Sequence, residues 1–416
     1  MSSSQAPNAQ PGLGRRLILL LALACGIAVA NVYFPQAVSP LIAKGLHVSP
    51  GSAALVVTAA QLGYAAGIFL LVPLGDRLRH RKLIVTLLAL TCVGLLVAGA
   101  ANSLALLVGA SAMVGLTTVA PQIIIPMAAG LTAPERRGAV TGTLLSGLIG
   151  GILLARTFSG TLGQWLGWRA PYLIAAGLVA LLAVILAFAL PDTTPATKDR
   201  YPVLLGQAWR LLRSEPQLRR SAFYQATVFA GFSAAWTALA LLVTGPVYHL
   251  GAPAVGIIAL VGAGSMFCTP LAGRRIDRNG PDAVNLICMI GAVAAAALLL
   301  VGSLGGAIGL IGLGAGMLLL DVAMQSGQVA NQARIFALNP AARSRLNTAY
   351  MTCSFLGGSV GSWVGVRAYS AFGWNGVCGL IAICAGLALV RHLLRHTALA
   401  PVAPAAPEPE PVAASR

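Results

Sequence analysis

The sequence predicts an all-α integral membrane protein with twelve transmembrane helices in two pseudo-symmetric six-helix halves. Three observations support this fold class: an apolar composition, a series of bilayer-length apolar segments, and a one-sided distribution of basic residues. Of the 416 residues, 57% are hydrophobic and 9% are charged, whereas a soluble domain carries roughly 25% charged residues. Such a chain cannot cover a water-facing surface, and it is too hydrophobic to remain unfolded.

Apolar segments of about 20 residues match the ~30 Å hydrocarbon core of a bilayer. The chain contains twelve such segments, separated by short polar loops. The predicted spans, numbered 1 to 12, are residues 15–39, 51–74, 83–101, 104–131, 138–162, 170–190, 221–244, 253–272, 283–304, 308–336, 346–370 and 375–396.

Basic residues mark one side of the predicted bundle. The chain has 27 Lys and Arg against 10 Asp and Glu, and 23 of the 27 lie on the same side of the membrane, in loops and tails or at the ends of spans. The positive-inside rule makes this side cytoplasmic and places both termini on it. The net charge of +17 therefore reflects topology, and no nucleic-acid partner is needed to explain it.

The two halves resemble each other, which predicts an internal repeat. Asp76-Arg77 after span 2 recurs as Asp277-Arg278 after span 8, and Gly167-Trp168 after span 5 recurs as Gly373-Trp374 after span 11. Both copies start on the same side, so they are parallel repeats. The predicted organisation is a cytoplasmic tail (1–14), two six-helix bundles (15–190 and 221–396), a cytoplasmic central loop (191–220) and a disordered cytoplasmic tail (397–416).

The loops after spans 2 and 8 carry related motifs. The second copy contains Gly273, Asp277, Arg278 and Gly280, and the first keeps Asp76 and Arg77 followed by a basic tail. This pattern resembles the loop motif of the major facilitator superfamily, and the resemblance covers residues 15–396. It implies secondary transport by alternating access around a midplane site, with those six residues in cytoplasmic gates.

Within that superfamily the chain is most similar to bacterial drug:proton antiporters and sugar-efflux permeases. Gln122, Arg136-Arg137-Gly138, Gly150-Gly151 and Gly167-Trp168-Arg169 carry this similarity. The chain departs from the antiporter pattern at Ser111, where those proteins have an arginine, and beside Gly150-Gly151, where they have a proline.

Asp321 is the one acidic residue inside a predicted span, near the middle of span 10. A charge there costs about 2.5–3.5 kcal/mol on insertion scales, so it needs a partner, water or a proton. Gln325, Gln328 and Gln332 follow on the same helical face. We expect Asp321 to exchange a coupling proton and the glutamines to contact substrate; helix packing and interhelical hydrogen bonding are the alternatives.

Span 1 and span 4 supply further candidate substrate ligands. Asn31, Tyr33 and Gln36 surround Pro35, where a kink frees backbone carbonyls, and Gln122 lies near the end of span 4. The residues of span 1 are either substrate ligands or simply the outer end of the helix.

Arg156 is the most deeply placed cation. At ~1.5 Å per residue it lies about 27 Å from the cytoplasmic end of span 5, and Asp321 lies roughly 22 Å up span 10. Three readings remain open: an Arg156–Asp321 pair in which the arginine tunes proton exchange, a cationic site for an anionic substrate, or a side chain that extends toward the outer headgroups.

Small residues recur every four positions in two spans, which predicts close helix packing. The repeats are Gly138, Gly142, Ser146 and Gly150 in span 5, and Gly357, Gly361 and Gly365 in span 11.

The sequence motifs that resemble enzyme signatures do not indicate an enzyme. The Gly-x-Ser-x-Gly match at Gly357–Gly361 lies inside an apolar helix rather than a strand–turn–helix, and no phosphate-binding loop is present. The seven cysteines lack metal-ligand spacing. We therefore expect neither an enzyme nor a cofactor or metal.

The sequence favours a secondary active transporter that works as a proton-coupled exporter of a small organic molecule, such as a drug, sugar or amino acid. The alternatives are a proton-coupled importer or facilitator, or a non-transporting membrane sensor. We expect a multi-pass monomer in the bacterial inner membrane, whose partners are lipid, substrate and protons.

Overall fold

The computed structural model describes residues 13–133, 136–194, 197, 199–339 and 342–398. These residues form α-helices joined by turns and short 3-10 segments, with no strand among them. The predicted tails lie outside this part of the chain, except for a few residues at their inner ends. The helices are α1 Arg15–Tyr33, α2 Pro35–Gly45, α3 Pro50–Ala53, α4 Leu55–Leu71, α5 His80–Gly99, α6 Leu104–Thr117, α7 Ala120–Gly130, α8 Arg137–Leu166, α9 Ala170–Ala189, α10 Tyr201–Ser214, α11 Pro216–Thr244, α12 Pro253–Gly262, α13 Ser265–Leu299, α14 Gly306–Leu338 and α15 Arg343–Ala398.

Two glycines divide the longest helices. Gly280 has φ 77° within α13 and Gly373 has φ 62° within α15, a left-handed conformation that glycine adopts without steric penalty. Ten segments of the described chain are long and apolar enough to cross a membrane. The break at Gly373 makes α15 two crossings rather than one. The shorter apolar helix α12, which leads into α13, supplies one more crossing. With these two additions the described chain has the predicted twelve crossings.

Spans 1 and 4 are each broken into two helices, and the two breaks meet. Pro35 begins α2 immediately after the first break, where its missing N–H needs no partner. Asn31 Nδ2 donates to Thr118 Oγ1 at 3.2 Å, and Thr118 Oγ1 donates to the carbonyl of Ala28 at 2.5 Å. The hydroxyl group at the second break thus hydrogen-bonds to the last two turns of α1, just before the first break.

The two halves pack in matching pairs. In the first half α1 packs on α8 and α4 on α6, and in the second half α11 packs on α15 and α13 on α14. Between the halves, contacts run along α4–α15 and α8–α12, with α2 reaching α11. These two seams are equivalent under the internal repeat, because they join spans 2 and 11 and spans 5 and 8.

We call the end of the bundle that carries the basic loops the basic side, and the opposite end the outer side. Both seams are closed on the outer side. Thr58 Oγ1 donates to Ser362 Oγ across the α4–α15 seam at 3.3 Å. Across the α8–α12 seam, Thr157 Oγ1 donates to the carbonyl of Gly256 at 2.9 Å. Both contacts join the first half to the second.

Close packing on α8 uses glycines other than the predicted ones. Gly147 and Gly151 lie against the backbone of Ala22 and Gly26 in α1, so a Cβ at either position would overlap it. The predicted stripe is wrong, because in the described part of the chain no heavy atom outside the helix lies within 4 Å of a Cβ added at Gly138, Gly142 or Gly150. Span 5 carries small residues on several faces, and spacing alone does not reveal which face meets α1.

The predicted stripe on α15 is confirmed. Gly357, Gly361 and Gly365 lie against α11, where the residues they meet are Ala226, Ala230 and Ala234. Here small residues repeat every fourth position on both partners, so the two backbones approach closely along three turns.

The central loop contains the helix α10. Leu204 and Ala208 are buried against the start of α15 and the turn after α4. Trp209 is 51% exposed, and the guanidinium of Arg213 lies over its ring, 5.2 Å from the centroid. The helix is therefore amphipathic, and its apolar face docks on the basic side of the bundle.

Candidate functional site

A cavity of about 280 Å³ lies between the two halves. It extends toward the basic side, since its wall includes Gly142 near the beginning of α8. Aromatic and aliphatic side chains form most of the wall, and five amides interrupt it: Gln122, Gln225, Gln325, Gln328 and Gln332. Such a wall suits a small molecule with an apolar body and a few hydrogen-bonding groups.

The polar residues of α14 do not all face this cavity, because some of them lie in the protein interior. Gln325, Gln328 and Gln332 line the cavity, and Gln225 Nε2 of α11 donates to Gln328 Oε1 at 3.5 Å. Asp321 is 1% exposed and lies beyond the cavity wall. The three amides are thus placed to meet a molecule in the cavity, and their substrate contacts remain a prediction.

A chain of amide hydrogen bonds crosses from one half to the other. Gln122 Nε2 donates to Tyr64 OH at 3.3 Å, and Gln122 Oε1 accepts from Asn347 Nδ2 at 3.5 Å. Gln332 Nε2 donates to Asn347 Oδ1 at 3.3 Å. Asn347 was not among the predicted site residues, although an amide at the beginning of an apolar span was an available signal.

Asp321 is buried at the junction of α11, α12 and α14. Its Oδ1 accepts from Trp236 Nε1 at 3.2 Å, and its Oδ2 has no hydrogen-bond partner among the described residues. Gly262 of α12 packs so closely that a Cβ there would overlap Oδ2. The carboxyl group therefore keeps one free oxygen in a tightly enclosed space.

Arg156 is fully buried, so it does not extend toward the headgroups. Its Nε donates to Gln36 Oε1 at 2.8 Å, and its Cζ lies 3.9 Å from the centroid of the Trp236 ring. The rings of Tyr33 and Phe232 lie 5.3 and 5.9 Å away. Aromatic faces therefore surround the guanidinium and attract it as a cation.

Trp236 lies between the two deep charges. Its ring stacks against the arginine while its N–H reaches Asp321, and the described residues contain no direct ion pair between Arg156 and Asp321. Sequence reasoning missed this tryptophan. The available signal was the spacing of Gln225, Phe229, Phe232 and Trp236 in span 7, which repeats that of Asp321 and the three glutamines in span 10.

The predicted residues of span 1 have three different surroundings. Tyr33 lines the cavity, Gln36 is buried against Arg156, and Asn31 is buried in the contact with Thr118. The structure thus brings Tyr33 and Gln36 toward the site and places Asn31 between helices.

In the first half, Asp76 ends the 3-10 turn Val72–Asp76 on the basic side. Its carbonyl accepts from the backbone N–H of Thr197 at 3.0 Å, and it lines a crevice with Ser344 and Arg345 of α15. Arg77 is exposed. Asp76 is therefore positioned at the seam between the halves, as its predicted gate role requires, and that role remains a prediction.

In the second half, Gly280 forms the break in α13. Asp277 and Arg278 are exposed, and Gly273 is half-buried. The acidic group that joins helices here is Asp282, which pairs with both Arg220 of α11 and Arg334 of α14. Asp282 was not among the predicted gate residues.

The Major Facilitator Superfamily model matches residues 19–337. The chain belongs to the major facilitator superfamily. It is therefore a multi-pass membrane transporter for small molecules and not an enzyme, which confirms the resemblance carried by the loop motif.

Similar proteins agree with this family. The uncharacterized transporter YgaY of Escherichia coli O157:H7 is 38% identical over 369 residues, which cover 88% of this chain and 92% of YgaY. Multidrug resistance protein D of Escherichia coli K12 is 29% identical over 189 residues, covering 45% and 48% of the two chains. The crystal structure of the nucleoside transporter NupG (D323A mutant) superimposes with a TM-score of 0.71 at 14% identity, covering 92% of this chain and 99% of NupG, and confirms the major-facilitator fold.

Proposed function

We propose that this major facilitator transporter is a proton-coupled exporter of a small organic molecule, with Asp321 as the proton-carrying group. The observation that supports this most strongly is the burial of the Asp321 carboxyl group at the junction of α11, α12 and α14, beside the substrate-sized cavity. Its Oδ2 is buried without a hydrogen-bond partner among the described residues, so a proton there removes an uncompensated charge.

The surroundings of Asp321 support alternate protonation. Trp236 donates one hydrogen bond to the carboxyl group, and the positive charge of Arg156 lies over the face of the same indole ring. Burial opposes the ionised form. These opposed influences suit a group that binds a proton in one conformation and releases it in another, when the rearranged halves change its distance from Arg156.

The direction that we propose is export, which the similarity to Multidrug resistance protein D supports. The positive-inside rule places the basic side in the cytoplasm of a bacterial inner membrane. The cavity then extends toward the compartment from which an exporter collects substrate. Proton-coupled import is the second candidate, because Arg156 beside Asp321 lets a substrate anion and a proton bind together.

Gradient-driven uptake into inside-out vesicles tests this proposal. Vesicles containing the full-length protein are energised to acidify their lumen and offered a panel of radiolabelled drugs, sugars and amino acids. An exporter accumulates its substrate, and a protonophore abolishes the accumulation. Accumulation only in right-side-out vesicles would establish import instead, and flux insensitive to the protonophore would refute proton coupling.

A further inference from the structure

Arg156 differs from the other buried arginines in how its donors are used. Arg220 and Arg334 both pair with Asp282. Arg156 is completely buried, yet neither Nη1 nor Nη2 has a hydrogen-bond partner among the described residues. Buried donors of this kind are rarely left unused, and leaving a charged one unused is costly.

The aromatic rings around Arg156 do not satisfy these donors. Stacking on Trp236 compensates the positive charge through the ring face, but the N–H groups of a guanidinium point outward in its own plane. That planar fork fits the two oxygens of a carboxylate. The two Nη groups of Arg156 therefore still need a hydrogen-bond acceptor, and an anionic acceptor suits them best.

A second buried donor lies at the same place. Gln36 is fully buried; its Oε1 accepts from Arg156 Nε at 2.8 Å, while its Nε2 has no partner among the described residues. The amide held against the arginine thus offers a further N–H beside the guanidinium. Side chains from two different helices, α2 and α8, thus present donor groups without partners among the described residues at one place, which points to one ligand.

The cavity reaches this cluster through two rings. Tyr33 and Phe232 contact the guanidinium, and both also line the cavity. These two rings therefore lie between the cavity and the guanidinium of Arg156. The aromatic wall suits an apolar body attached to the anionic group.

We propose that Arg156 and Gln36 bind the carboxylate of an organic-anion substrate whose apolar body occupies the central cavity. This inference rests on the proposed function for the location of the substrate, and it adds the substrate class.

Matched charged and neutral ligands test the carboxylate site. Calorimetry on the purified full-length protein compares cinnamate with cinnamamide, which has the same shape without the charge. Wild type binds cinnamate about tenfold or more tightly than the amide. Arg156→Gln loses this preference, Arg156→Lys retains part of it, and Gln36→Met weakens cinnamate binding. The control is Arg367→Gln, which removes another arginine stacked on a tryptophan and leaves the preference intact.

Three results would overturn the inference: equal binding of the two ligands to wild type, an unchanged preference in a folded Arg156→Gln protein, or no cinnamate binding up to about 10 mM. If Arg156→Gln fails to fold, the comparison of cinnamate with cinnamamide on wild type and the cinnamate affinity of Gln36→Met still test the carboxylate site.

These binding assays need no gradient. A failure of the carboxylate site therefore leaves gradient-driven transport standing, and a failure of gradient-driven transport leaves the binding results standing.

Discussion

The position of Asp321 inside an apolar span can be seen in the sequence, whereas its hydrogen bond to Trp236 can be seen only in the structure. A carboxyl group inside an apolar span is expensive, so Asp321 and Arg156 could be identified from the sequence. Trp236 was missed, because a tryptophan in an apolar helix is ordinary core material and only its spacing in span 7 set it apart. Its ring separates the two charges and holds the carboxyl group through one hydrogen bond.

Gly262→Ala tests how tightly the carboxyl group is enclosed. The new Cβ would overlap Oδ2 of Asp321, and overpacking typically costs about 1–3 kcal/mol. Moving the carboxyl group should reduce substrate flux about tenfold in vesicles. Gly314→Ala is the matched control, because its added Cβ meets nothing closer than 4.0 Å. Unchanged flux in Gly262→Ala would contradict the described geometry.

Helix packing shows how far residue spacing can be trusted. On α15 the predicted glycine stripe meets α11, because both partners carry small residues at the same spacing. On α8 the predicted stripe was wrong, since neighbouring small residues at Gly147 and Gly151 make the contact. The sequence predicts that a helix has a face of small residues. Which of several such faces packs against another helix depends on the partner helix.

Two adjacent glycines provide a direct test on α8. Gly151→Ala places a methyl group against the backbone of Gly26, whereas Gly150→Ala faces open space. We expect Gly151→Ala to destabilise the protein by about 1–3 kcal/mol and Gly150→Ala to leave stability nearly unchanged. Thermal unfolding of the purified variants in detergent measures both effects. Equal unfolding temperatures for the two variants would refute the assigned α1–α8 contact face.

At the scale of the whole molecule, the outer side is closed and the cavity extends toward the basic side. The internal repeat and the one-sided charges predicted two bundles facing each other. They did not predict which end would be closed, because that depends on contacts between residues far apart in the chain, such as Thr58 with Ser362. Alternating access requires this contact to break when the outer side opens.

A disulfide across the outer seam tests that requirement. In a background without native cysteines, Thr58→Cys with Ser362→Cys joins the two halves where the hydroxyl oxygens lie 3.3 Å apart. Oxidation should reduce transport about tenfold or more, and reduction should restore it. The control pairs Ser362→Cys with Thr237→Cys, whose hydroxyls are 3.1 Å apart within the second half, and it should transport in both states. Undiminished transport by the oxidised Thr58–Ser362 pair would show that this seam need not open.

The central claim is that Asp321 carries the coupling proton, and replacing it by asparagine in the inside-out vesicle assay tests this most directly. Asparagine keeps the side chain's shape and its acceptor for Trp236, but it cannot exchange a proton. The account predicts that Asp321→Asn still exchanges labelled for unlabelled substrate across the membrane and no longer accumulates it when a pH gradient is imposed. Gradient-driven accumulation by Asp321→Asn equal to that of wild type would contradict the account.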